Sequence, residues 1–268
     1  MTVVDRDRVV ATLDEAFDAV IAVAEGLAPG EWDLPTACPG WSVKDNVSHV
    51  IGTEAMLLGR PLPEVELPDD LAHVRNDIGR FNEVWVETYR PRRPAEVVAD
   101  LRSVVAERRA ALAGMDQAAF DEDSFTPAGP DTYGRFMRIR VMDIWFHEQD
   151  IREAVGRPGH LEGMAPVAVL DEVSAAIGYV VGKRAKAPAG SSVRFELTGP
   201  MARRIDVEVT DRARAVDALA GEPTVTLTVP GHHLTRLVGG RGADPAQVQV
   251  SGDTDLGTAV VANLAYMI

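Results

Sequence analysis

The feature that most constrains this chain is a change of hydrophobic period about two-thirds of the way along its 268 residues. Up to about residue 183 the apolar residues recur at the three- and four-residue spacing of amphipathic helices. Beyond the stretch "KRAKAPAGSS" they alternate one by one, as in half-buried antiparallel strands. A mixed, two-domain fold is therefore expected: a helical domain over residues 1–183 and a small α+β domain over residues 192–268.

Within the first part, Val9, Leu13, Phe17, Val20, Ile21 and Ala24 mark one helix over residues 6–27, which stops before "APGEW". "ACPGWSVKD" supplies turn residues and then a start signal, with Ser42 as N-cap and Asp45 at the capping-box position of a helix reaching about Leu58. "GRPLPEVELP" breaks that helix, and helical spacing returns over 69–89 and 94–114. The polar stretch "DEDSFTPAGPDTYG" reads as a loop before a helix that ends at Gly156, and a last helix spans about 164–183. In the second part, "VRFELTG", "RRIDVEVT", "TVTLTVP" and "VQVSGD" read as strands, accompanied by two short helices, "GHHLTRLVGG" and "TDLGTAVVANLAYM".

Composition narrows the partners. With 46% hydrophobic and 25% charged residues the chain is that of a folded soluble protein, and a net charge of −14 repels nucleic-acid backbones and anionic membranes on average. No run of about 18 apolar residues is present, and "MTVVDRDRVV" lacks the apolar core of a signal peptide. One cysteine, Cys38, excludes an internal disulfide and a cysteine-rich zinc finger. A cytoplasmic protein acting on a small molecule is expected, without nucleic acid or membrane, as a monomer or homodimer.

The densest chemistry lies in "RVMDIWFHEQDIREAVG", where Asp143, His147 and Asp150 fall at i, i+4 and i+7 and share one helical face. Such a face is either a solvated surface or part of a metal site, because a catalytic zinc takes three protein ligands and keeps a fourth position open. The third ligand must then come from another helix. His49 is the candidate, on the flank of an apolar stripe and in line with Asn46, Thr53 and Met56. His73 sits among polar neighbours, His160 lies in the "GRPGHLEG" turn, and His232 and His233 belong to the second domain. Spacing alone does not decide between surface and site.

"PGWSVKDNVSHVIG", "NDIGRFNEVWVE" and "RVMDIWFHEQDIREAVGRPG" resemble the mycothiol-dependent maleylpyruvate isomerase family, and the likeness covers nearly the whole chain. The resemblance implies an antiparallel, DinB-like metal-binding helix bundle followed by a sterol-carrier-like α+β domain. It implies a divalent metal, usually zinc, held by His49, Asp143 and His147, and mycothiol as the thiol cosubstrate. It also implies Arg80, in "DIGRFNE", and Arg241, in "VGGRGADP", as cations for a carboxylate or developing enolate. Asp150 would be an acid orienting His147 or handling a proton. The chain departs from the family pattern at Asp143, where the family has Glu, which shortens the reach to a metal by one methylene.

Two neutral imidazoles and one carboxylate around Zn²⁺ leave a net charge of +1, which favours an incoming thiolate. That thiolate would add to an unsaturated dicarboxylate and leave again, giving cis-trans isomerisation, or attack an electrophile and stay, giving S-transfer. Cys38, before Pro39-Gly40 in a tight turn, reads instead as a small buried hydrophobe. The rival readings are a non-catalytic small-molecule or lipid binder and a metal-dependent hydrolase that uses water.

Overall fold

The computed structural model describes residues 1–69 and 71–267 and divides the chain into two compact units, residues 1–160 and 161–268. The first unit is built on four long helices: α1 (Arg6–Glu25), α2 (Val43–Leu57), α4 (Pro94–Ala113) and α6 (Tyr133–Ala154). A shorter helix, α3 (Asp77–Tyr89), packs on α2. Their starts are written in the sequence. Asp5, Ser42, Asn76 and Thr132 each accept a hydrogen bond from a first-turn amide, and Pro94 opens α4 where its missing N–H costs nothing. Leu13 and Phe17 of α1, Val47 and Ile51 of α2, Leu101 and Val105 of α4, and Val141 and Ile144 of α6 are fully or almost fully buried between the helices.

Gly52 brings α3 close to α2. A Cβ at this position would lie 2.3 Å from Cγ of Trp85, so no side chain fits between the two helices. The expected helix over 69–89 starts at Asp77, where Asn76 caps the amide of Gly79 at 2.8 Å. Asp70, in the earlier part of that expectation, lies outside the described residues. The loop expected over 121–134 contains a short helix end, α5 (Gln117–Asp121), followed by a two-stranded hairpin, β1 (Asp123–Thr126) and β2 (Gly129–Thr132). Its polar strands carry no alternating apolar pattern, so the periodicity gave no sign of it.

In the second unit, β3 (Ser192–Thr198), β4 (Arg203–Val209), β5 (Ala213–Val216), β6 (Val225–Pro230) and β7 (Gln249–Gly252) form one sheet in the order β5-β4-β3-β6-β7. All neighbours are antiparallel except β3 and β6 at the centre, which run parallel. The period-two pattern is borne out: Val193, Phe195, Leu197, Ile205, Val207, Val225, Leu227 and Val229 all point into the core. The edge strand β5 was not foreseen, because none of its four residues is buried.

Helices α7 (Met164–Tyr179), α8 (Gly231–Val238) and α9 (Thr254–Val261) cover this sheet. Sequence periodicity assigned α7 to the bundle, since an apolar face does not name its partner. The structure groups it with the sheet, where it packs on β5 and β4. A π-helical turn, Val180–Arg184, extends it. The combined segment Met164–Arg184 is long and apolar enough to cross a membrane by length and composition, although Asp171 and Glu172 interrupt its apolar residues. Yet 56% of its most apolar window is buried within the protein, as in a core helix.

Candidate metal centre

Three cross-helix pairs run in opposite order along α2 and α6, which packs these helices antiparallel. Asn46 meets His147, His49 meets Asp143, and Glu54 meets Arg140. On α6, residues 140, 143, 147 and 150 are spaced three, four and three apart, so they share the face turned to α2.

At the middle of this seam His49, Asp143 and His147 converge, each offering a ligand atom within 4.8 Å of the others. His49 Nε2 lies 3.0 Å from Asp143 Oδ2, and His147 Nε2 lies 3.6 Å from Asp143 Oδ1. A tetrahedral zinc with bonds of roughly 2.0–2.2 Å needs donor atoms about 3.3–3.6 Å apart, and the two histidine–carboxylate distances lie near that range. The shorter Asp143 side chain therefore does reach the cluster. Both histidine side chains are 4–7% exposed while that of Asp143 is 31% exposed, so the cluster opens to solvent on its acidic side.

The surrounding groups set orientation and charge. Asn46 donates from Nδ2 to Ser42 O at 2.8 Å and to Thr36 Oγ1 at 3.1 Å, which turns its Oδ1 toward His147 Nδ1 at 2.7 Å. That acceptor calls for a proton on Nδ1 and leaves Nε2 as the ring nitrogen that faces Asp143. Asp150, fully buried, stands 3.4 Å from the same Nδ1. Burial holds the His49 imidazole below its usual pKa despite the nearby Asp143 carboxylate, which favours the neutral form that a ligand requires. Burial alone would depress His147 too, but the Asp143 and Asp150 carboxylates outweigh it and raise its pKa. For Asp143, burial pushes upward, yet the Arg140 guanidinium and the two imidazoles hold the carboxyl well below its usual range.

Arg140 touches Asp143 Oδ2, the same oxygen that His49 approaches. It is held in place by Glu54, whose other oxygen accepts from Arg108 Nε at 2.8 Å. On the other side of the cluster the Trp41 indole lies against both ligand rings, at centroid distances of 5.1 Å to His49 and 5.5 Å to His147.

The remaining expected residues are placed as follows. Arg80 is exposed in the first turn of α3, and the hydrogen bonds and ion pairs of the cluster among the described residues do not include it. Arg241 lies in the second unit, where it donates to Gly239 O at 2.8 Å. Cys38 is half-buried rather than a core hydrophobe, and its sulfur stands within 4.8 Å of ligand atoms of His147 and Asp150. Sequence reading missed Trp41, Glu54, Glu83, Arg108 and Arg140. Trp41, Glu83 and Arg140 lie within the stretches that carry the family likeness, and Arg140 also stands three residues before Asp143 on the same helical face, whereas Glu54 and Arg108 carried no signal.

A helical unit holding a His-Asp-His cluster with the donor set of a candidate metal site is followed by a small sheet unit. The chain belongs to the mycothiol maleylpyruvate isomerase family: residues 13–152 match its N-terminal domain, and residues 168–259 match the MDMPI C-terminal domain. Among solved structures, the chain is similar to the crystal structure of the mycothiol-dependent maleylpyruvate isomerase. The TM-score is 0.62 at 16% identity, covering 94% of this chain and 96% of that one. It is also similar to a histidine-to-alanine mutant described as the same enzyme, with a TM-score of 0.60 at 15% identity over the same shares. No curated protein matches the chain. At these identities the structural likeness establishes the mixed helix-and-sheet fold.

Proposed function

We propose that the protein is a metal- and mycothiol-dependent enzyme of the cytoplasm that uses a thiolate nucleophile for cis-trans isomerisation of a maleylpyruvate-like acid or for S-transfer. The observation that carries this reading is the convergence of His49, Asp143 and His147 from two antiparallel helices on one partly open point. A divalent cation bound there, zinc by its donor set, supplies the positive charge that stabilises a thiolate over a thiol.

The chain's own residues do the rest. Asn46 and Asp150 hold His147 by Nδ1 and so aim Nε2. Glu54 fixes Arg140, which fixes Asp143 and offsets its charge. The Trp41 ring walls one side of the pair of imidazoles and excludes water there. Asp150, beside His147 Nδ1, is placed to take up or return a proton at that nitrogen. Arg80 is the cation assigned to the substrate's carboxylate in this reading. The shared first step, addition of a thiolate to an electrophile, serves both isomerisation and transfer.

Elemental analysis of the purified protein beside His49→Ala tests the reading. About one zinc per chain, lost in the variant, followed by mycothiol-dependent turnover of maleylpyruvate or a thiol adduct of an electrophile, is the expected result. A wild-type protein that is metal-free and cannot be reloaded sinks it.

A further inference from the structure

The Trp41 indole N–H donates to Glu83 Oε2 at 2.9 Å, and Glu83 is completely buried on α3. Glu83 is held from two more sides. His73 Nε2 lies 3.0 Å from the same oxygen, and the Arg90 guanidinium lies 3.0 Å from Oε1. Arg90 in turn reaches Asp45 Oδ1 at 3.3 Å, and Asp45 Oδ2 accepts the amide of Ser42 at 2.9 Å. Ser42 follows Trp41 in the chain. The contacts therefore close a ring: Trp41, Glu83, Arg90, Asp45, Ser42 and back to Trp41.

A closed ring restricts the indole more than a single hydrogen bond does, because the buried carboxylate that accepts from it is itself held by further partners. Two of the ring's members, Ser42 and Asp45, are the capping pair of α2, the helix that carries His49. The ring thus fixes the Trp41 plane relative to the helix that supplies one ligand, while the indole lies on both ligand imidazoles at tilts of 38–39°. A buried carboxylate is costly without partners, and Glu83 has three of them, which gives the fold a reason to keep its charge there.

We propose that Glu83 is a positioning residue of the metal centre, acting through Trp41 to set the orientation of the His49 and His147 rings. The inference rests on the metal reading above. Glu83→Gln keeps the size of the side chain and removes the charge that binds Arg90 and the indole N–H together. Trp41→Phe keeps an aromatic ring and removes the N–H that Glu83 grips, together with part of the indole's bulk.

The test is zinc affinity of the full chain, by competition with a chromophoric chelator, together with the visible absorption of the cobalt(II) form. Each single variant is expected to weaken zinc binding about tenfold, as removal of outer-shell partners does, and to shift the cobalt band. The double variant is expected to bind zinc no more than about twofold more weakly than Trp41→Phe alone, since both changes cut one connection. Glu83→Gln with wild-type affinity and an unchanged cobalt band overturns the inference even if its melting temperature falls. Losses that multiply to about a hundredfold in the double variant also overturn it, because they show independent effects. A wild type that binds neither metal overturns the metal reading and this inference together, whereas failure of the variants alone leaves that reading standing. Should Glu83→Gln not fold, Trp41→Phe decides: unchanged affinity and cobalt band in that variant overturn the inference.

Discussion

Arg140 places two guanidinium nitrogens, Nε at 3.0 Å and Nη2 at 2.8 Å, on a single oxygen of Glu54. Both side chains are almost wholly buried, and the remaining Arg140 nitrogen turns to Asp143. Glu54 is thus the post from which the acidic ligand is held. Arg140→Met removes one partner of a buried charge pair and is expected to cost about 3–5 kcal/mol of stability, read from urea unfolding. A loss under about 1 kcal/mol would show that Arg108 alone satisfies Glu54.

His160 ends the first unit with one carboxylate on each ring nitrogen: Glu148 Oε2 at 2.6 Å from Nδ1 and Glu15 Oε1 at 3.1 Å from Nε2. Burial by itself lowers its pKa, but Glu148 and then Glu15 outweigh it, so the folded-state value is raised. A raised value means the stabilisation is fully present below the unfolded pKa of about 6.5 and is lost as pH rises through the folded value. Urea midpoints between about pH 5.5 and 9 should therefore show the advantage of wild type over His160→Gln shrinking with rising pH. An advantage that grows with pH would reverse the assignment.

Gly40 sits at φ +79° in the turn before Trp41, and a Cβ there would lie 2.5 Å from His73 Nδ1. Gly40→Ala combines left-handed strain of about 1–2 kcal/mol with a clash against the imidazole that braces Glu83, so a loss above about 2 kcal/mol is expected in thermal unfolding. A variant as stable as wild type would mean that the turn and His73 move apart freely.

The sequence carried much of this design where local chemistry speaks. Ser42 and Asp45 announced the start of α2, and the alternation of Val193, Phe195 and Leu197 announced a central strand. The i, i+4 spacing placed Asp143 and His147 on one face, but it held no information about which helix lay opposite. His49 entered through its place on the flank of an apolar stripe and the poorer settings of the other histidines, and the family likeness then supported it. The partners Glu54, Glu83 and Arg108 were illegible for a physical reason. A buried charge looks like any surface charge until the fold supplies its hydrogen-bond partners, and Trp41, Arg108 and Arg140 come from 42 to 86 residues away in the chain. The same reason hid the place of α7, whose apolar face suits a sheet as well as a bundle.

The glycine at position 52 has a consequence for anyone who would rebuild this centre in another scaffold. Because a methyl group there would meet the Trp85 ring at 2.3 Å, the gap between α2 and α3 has the width of a hydrogen atom. Helix α3 carries Glu83. Copying the three ligands into a bundle with ordinary helix spacing would transplant the donors without the gauge that sets their wall, and the copy would be built to a looser tolerance than the original.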